Sequence, residues 1–141
     1  MATKGRAVAL DIGIKRTGIA ETDPFQWVAS GLTTVNTSEL IPYLTSYTQR
    51  EQVVVWVVGQ PKQLNGQPSE SAPVVAAVAQ QLNQAFPDIP IYWMDERFTS
   101  KMAFQSLIDS GVKKMDRRNK ALVDEVAATI LLQDYLTQKK S

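Results

Sequence analysis

The sequence predicts an α/β protein whose sheet begins antiparallel and continues parallel. Three observations carry this. The short strand-like segments Arg6–Ile12, Thr17–Thr22 and Val28–Val35 follow one another with tight links, as in an antiparallel meander. The run VVVWVVG, Val53–Gly59, is apolar at both alternating sets of positions, the pattern of a central strand covered on two sides by helices. From there strand-like and helix-like segments alternate, giving the order β-β-β-α-β-α-β-α-α.

Each element has its own local reason. Arg6–Ile12 is an apolar run, and Gly13–Arg16 is the turn that reverses it. Val28–Val35 is more polar and belongs nearer an edge. Glu39–Gln49 sets Leu40, Ile41, Leu44 and Tyr47 at helical spacing behind a cap at Thr37 or Ser38. Gly59–Pro68 is a loop rich in Gly, Pro, Gln and Asn. Ser69–Phe86 reads as a helix through Val74, Val75, Val78, Ala79, Leu82 and Phe86. Ile89–Met94 is a strand that ends on acids. Thr99 or Ser100 then caps a helix to Ser110, which Gly111 terminates. Val112–Asn119 is a polar, basic loop, and Lys120 to about Gln138 is the last helix. The 141 residues make one domain, 1–141, with no internal repeat.

Composition narrows the chemistry. Hydrophobic residues make up 44% and charged residues 21%, as in a soluble globular protein. No apolar run approaches the roughly 20 residues of a membrane span, and MATKGRAVAL lacks the apolar core of a signal peptide, so the expected location is cytoplasmic. The net charge is +1, so contact with nucleic acid must come from a local patch. There is no cysteine and no histidine, which excludes disulfides, thiol nucleophiles, a Ser-His-Asp triad and zinc sites of the Cys/His type. What is left is carboxylates, lysine, arginine, hydroxyls or a metal bound through oxygen.

Three acidic features punctuate the strand and helix pattern. Asp11 closes the first strand, Asp95-Glu96-Arg97 closes the last, and Asp124-Glu125 lies inside the final helix. In a sheet of this kind, ligand sites lie beyond the carboxyl ends of the parallel strands. Asp124 shares its helix face with Ala127, Ala128 and Leu131, and Glu125 with Ala128, Thr129 and Leu132, so the periodicity barely separates them. If the helix packs over the first and last strands, the carboxylates converge, and a hard cation, Mg²⁺ or Mn²⁺, removes their repulsion. Two such ions could activate water and stabilise the leaving oxygen of a phosphodiester. Taken singly, each acid has an ordinary reading: Asp11 as a turn former, Glu96 as a surface partner of Arg97, Asp124 as a rim charge.

With these residues in view, the chain resembles the YqgF family, also called RuvX, whose members are described as Holliday-junction-resolvase-like proteins and as nucleases of pre-16S ribosomal RNA. The resemblance rests on four ordered motifs, ALDIGIKRTGIA, VVGQPKQLNG, DERFTSKMA and VDEVAATILLQDYL, and covers nearly the whole chain. It implies an RNase H-like fold with a mixed five-stranded sheet in the order 3-2-1-4-5, flanked by helices. It also implies Asp11, Glu96 and Asp124 as catalytic, metal-binding acids, with Asp95 and Glu125 as neighbours able to assist. Gln60 departs from the family's usual Gly-Leu-Pro loop, a change expected to affect packing and not catalysis.

The expected grip on substrate is cationic. Lys15 and Arg16 would face the phosphates from the turn after the first strand, against the plain alternative of a solvated turn. Arg97 would contact phosphate bidentately or pair with Glu96. KKMDRRNKA carries Lys113, Lys114, Arg117, Arg118 and Lys120 against one acid, the footprint of contact with a phosphate backbone. Trp27, Trp56 and Trp93 read as core or packing residues before stacking platforms, with Trp27 the best candidate for exposure.

The function these features imply is a metal-dependent endonuclease acting on structured nucleic acid, with pre-16S rRNA favoured by the family and branched DNA as the alternative. A binding or ribosome-assembly factor without turnover would keep the basic loop and need no metal. A phosphotransferase of the actin and sugar-kinase type shares the Asp-x-Gly turn but closes two such domains over ATP. Expected partners are nucleic acid and no membrane, with the chain a monomer or homodimer; a two-fold junction substrate would favour the dimer.

Overall fold

The computed structural model describes residues 5–61, 69–96, 100 and 120–140. Strands β1 (Arg6–Ile12), β2 (Arg16–Thr22) and β3 (Ala29–Asn36) come first, followed by a 3-10 turn (Thr37–Glu39), α1 (Leu40–Arg50), β4 (Val53–Gln60), α2 (Ala72–Ala85), β5 (Ile91–Asp95) and α3 (Lys120–Lys140). The strands form one sheet in the order β3-β2-β1-β4-β5. β1–β2 and β2–β3 pair antiparallel, and β1–β4 and β4–β5 pair parallel. This is the mixed sheet, and the strand order, that the sequence and the family resemblance imply.

β1 lies at the centre because it can be buried on both faces: Ala7, Val8, Ala9 and Leu10 are all fully covered. Its two faces differ in size. Val8, Leu10 and Ile12 point to α1 and α2 and pack with Leu40, Leu44, Val75, Val78, Leu82 and the Trp56 indole. Ala7 and Ala9 point the other way, with Ala20 of β2, against Ala128, Leu131, Leu132, Tyr135 and Leu136 of α3. Those α3 positions recur at helical spacing and make one apolar stripe. Small side chains beneath the stripe let the helix lie close on the sheet. Among the described residues, no helix is long and apolar enough to cross a membrane.

Several boundaries differ from the sequence reading. The α1 start is not capped by Thr37 or Ser38: Thr37–Glu39 forms the 3-10 turn, and the residue preceding α1, Glu39, makes no side-chain capping bond. The Thr37 hydroxyl donates instead to the Gly13 carbonyl, 2.7 Å away. α2 begins at Ala72, not Ser69, because Ser69 accepts a turn bond from the Ala72 N–H at 3.1 Å. β5 begins two residues later than expected, after Pro90, at Ile91. The expected helix 100–110, beyond Ser100, and the basic loop 112–119 lie outside the described residues, as does most of the 59–68 loop.

A polar network ties α1 to the sheet. Tyr47 donates its hydroxyl to the Glu21 carboxylate. Arg6 bonds Glu51 at 3.0 Å and the Thr22 carbonyl at 2.7 Å. Burial, then the bond to Glu21, pushes the Tyr47 hydroxyl pKa up. Below the ordinary tyrosine value of about 10 the hydroxyl is neutral in both folded and unfolded chains, and its contribution to stability is fully present. Above it the unfolded chain loses the proton while the folded chain retains it, so stability falls as pH rises. Urea midpoints measured between about pH 8 and 11 are expected to decline, and Tyr47→Phe to decline less steeply.

Candidate acidic site at the strand ends

The site is built outward from Asp11. Ala7 and Ala9 face α3, so strand alternation assigns Asp11 to that same face. The antiparallel register sets Asp11 opposite Gly18 of β2. On the other side, the parallel register pairs Leu10 with Val58, and one residue further brings Asp11 beside Gly59 of β4. Both lateral neighbours of the acid are therefore glycines.

Each glycine makes room for another acid-bearing segment. A Cβ at Gly18 would lie 1.9 Å from the backbone oxygen of Asp124. A Cβ at Gly59 would lie 2.4 Å from Glu96 Oε1 and 3.0 Å from Leu131 Cδ1. The α3 turn at Asp124 thus rests on β2, and the Glu96 carboxylate folds over β4, with Asp11 on the strand between them. Three adjacent strand positions span about 10 Å across a sheet.

The structure brings Asp11, Glu96 and Asp124 to one end and one face of the sheet. It does not draw them into a tight cluster: among the described residues, no group of three Asp, Glu, His or Cys side chains is close enough to hold a metal ion. Asp124 is engaged elsewhere, since Arg16 Nε donates to its Oδ2 at 2.8 Å. The neighbouring acids diverge. A Cβ at Gly31 would meet Glu125 Oε1 at 2.5 Å, which places Glu125 over β3, two strands from Asp11. Asp95 pairs in register with Gln60. Because Met94 faces α3, alternation turns Asp95 to the opposite face.

The turn carrying Lys15 and Arg16 is fixed through its backbone. The Gly13 N–H donates to the Arg16 carbonyl at 2.9 Å, and the Thr37 N–H donates to the Lys15 carbonyl at 2.9 Å. Thr37 spends its hydroxyl proton on Gly13, so Thr17 is the donor across the 3.0 Å contact between the two hydroxyls. Lys15 is exposed and Arg16 half-buried. Thr37 was not among the residues expected at the site; its signal was a hydroxyl directly after β3.

A second tether follows Glu96. The backbone N–H and hydroxyl of Ser100 donate to the two oxygens of Asp134 on α3, at 2.6 and 3.1 Å. Arg97, Lys113, Lys114, Arg117 and Arg118 lie outside the described residues, and so do Thr99 and the side chain of Lys120.

The tryptophans divide. Trp56 is buried, as expected, and packs against Phe86. Trp27 is 73% exposed, on a turn held by Asp23, which accepts from the N–H groups of Phe25, Trp27 and Val28. Those bonds keep the Asp23 carboxyl below its usual pKa. Trp93 corrects the core assignment: it is 42% exposed, because β5 is an edge strand and Trp93 lies on the face away from Met94 and α3.

The sequence model of the RuvX family, described as Holliday junction resolvase, matches residues 5–138. A protein named "Putative pre-16S rRNA nuclease" from Flavobacterium johnsoniae is 53% identical over 135 residues, 96% of this chain and 98% of its own length. One of the same name from Phocaeicola vulgatus is 50% identical over 96% of this chain and 97% of its own. Among solved structures, RuvC of T. thermophilus in complex with a Holliday junction superposes with a TM-score of 0.56 at 13% identity, covering 97% of this chain and 96% of that one. The fold is RNase H-like.

The two glycines separate in their response to substitution. Gly18→Ala sets a Cβ against helix backbone, which cannot yield, and is expected to cost at least about 2 kcal/mol. Gly59→Ala meets the flexible end of Glu96 and the tip of the Leu131 side chain, which can shift by a few tenths of an ångström, and is expected to cost less than Gly18→Ala. Denaturant unfolding of the two variants measures the difference.

Proposed function

The chain belongs to the RuvX family, and from that premise we propose that it is an endonuclease hydrolysing phosphodiester bonds in structured nucleic acid, acting on the 5′ end of pre-16S ribosomal RNA. The observation that carries the reading is the pair of glycines flanking Asp11, which admit Glu96 on one side and the Asp124 turn on the other. A strand-end Asp serving only as a turn former would not require both neighbours to be kept clear.

The donor chemistry fits a hard divalent cation: three carboxylates, with no histidine or cysteine anywhere in the chain. Asp11, Glu96 and Asp124 would hold Mg²⁺ or Mn²⁺. When bound, one such ion supplies Lewis acidity and two supply a clamp on the attacking and leaving oxygens. The chain's own part is to hold the acids on rigid elements and to seat the substrate. Asp11 sits on the central strand and Asp124 on the helix packed across it. Lys15 and Arg16, on the braced turn, would contact phosphate, and a guanidinium can do so through two parallel bonds. Arg97, Lys113, Lys114, Arg117 and Arg118 extend this role along the nucleic-acid backbone. A ribosomal precursor as substrate places the work in the cytoplasm. A single cut in RNA needs one copy of the chain, whereas a two-fold junction needs two.

The test is cleavage with Mn²⁺ of an RNA spanning the 5′ end of pre-16S rRNA, beside a four-way DNA junction. The RNA is expected to be cut. Asp11→Asn, Glu96→Gln and Asp124→Asn are each expected to slow cleavage about 100-fold or more, the scale of losing one preorganised charged group. Cleavage of the junction alone would reassign the substrate to branched DNA. Binding of RNA without cleavage, unchanged by Asp11→Asn, would make the protein a non-catalytic assembly factor.

A further inference from the structure

Arg16 has been given one role toward substrate, yet its guanidinium sits on an acid. Its Nε donates to Asp124 Oδ2 at 2.8 Å. We propose that Arg16 is a transferable counter-charge: a divalent cation and Arg16 compete for Asp124, and cation binding passes the guanidinium to a substrate phosphate. This rests on the metal-holding role proposed for Asp124 and adds a coupling between cation and nucleic acid that runs through Arg16.

Four features support the exchange. The pair joins the two elements that Gly18 brings together, so it lies where the α3 turn rests on β2. The Arg16 carbonyl accepts from the Gly13 N–H, and Thr37 bonds the flanking Lys15 and Gly13 carbonyls, so the side chain can swing while its anchor stays still. Neither partner is deeply buried, with side-chain exposures of 38% for Arg16 and 24% for Asp124, so solvent screens the bond and little opposes its opening. Finally, the planar fork of arginine matches carboxylate and phosphate equally well, which lysine's point charge does not.

The electrostatics follow directly. A cation on Asp124 neutralises the attraction that holds Arg16 and adds a like charge beside it. The released guanidinium then meets an arriving phosphate. Cation and nucleic acid each strengthen the binding of the other, by the reciprocity that governs any two coupled ligands. A purely structural staple between β2 and α3 would produce no such coupling.

Two measurements on the full chain test this, with folding verified by circular dichroism. In the first, Mn²⁺ is titrated and the free ion followed by electron paramagnetic resonance. Arg16→Ala, and Arg16→Gln as a gentler variant, are expected to bind Mn²⁺ roughly twofold to fivefold more tightly than wild type, the scale of one partly exposed ion pair. In the second, a short RNA is titrated in EDTA, where no cleavage intervenes. Asp124→Asn releases Arg16 and is expected to tighten RNA binding by a similar factor, and the gain is expected to vanish when Arg16→Ala is added. Unchanged or weaker Mn²⁺ binding in both Arg16 variants would overturn the exchange, as would an Asp124→Asn gain that survives without Arg16. If Asp11→Asn abolishes Mn²⁺ binding while the Arg16 variants match wild type, the exchange falls and the metal site stands. If wild type binds no Mn²⁺, both fall.

Discussion

The architecture depends on how closely one helix can lie on the sheet. Over β1 and β2, α3 meets small side chains, Ala7, Ala9, Gly18 and Ala20, with Val55, Val57 and Met94 further along the same face. The opposite face carries the larger side chains Val8, Leu10 and Ile12 against α1 and α2. Interiors are packed to crystal-like density, so a difference in side-chain size between faces becomes a difference in layer thickness. The thin side is where the acids are. Larger residues at those positions would raise α3 and carry Asp124 away from Asp11 while the hydrophobic pattern stayed intact.

That thinness also makes the site electrostatically demanding. Carboxylates brought to one end of a sheet repel one another unless cations are nearby. Arg16 supplies one within the chain. On the far side of the molecule a similar problem is solved locally: Glu21 accepts the Tyr47 hydroxyl, and Glu51 accepts Arg6. The Glu21 network ties α1 to the sheet, whereas the Asp11 end lies where the parallel strands finish, the place in α/β sheets at which ligands bind.

Much of the architecture was legible in the sequence because its signals are local. VVVWVVG declares a strand buried on both faces, and the short strand read at Ile89–Met94, observed at Ile91–Asp95, and the helix from Lys120 needed no partner to be recognised. What escaped was set by register. Gly18 and Gly59 look like ordinary strand residues until the pairing places them beside Asp11. Asp124 and Glu125 share a periodicity that does not rank them; only the observed packing puts one over β2 and the other over β3. Trp93 read as core because an edge strand and an inner one carry the same alternation. Thr37 read as a helix cap because capping is a sequence-local habit, while its bond to Gly13 spans 24 positions.

Asp134 has a consequence beyond tethering. It lies ten residues along α3 from Asp124, and it holds Ser100, four residues past Glu96. One helix therefore bears an acid directly and grips the chain that delivers another. Glu96, however, directly follows β5 and stays with the sheet that carries Asp11, so a small slide or roll of α3 would move Asp124 against those two. The site is thereby reduced to a two-body alignment, and the Asp134–Ser100 bonds are what restrain the helix along it.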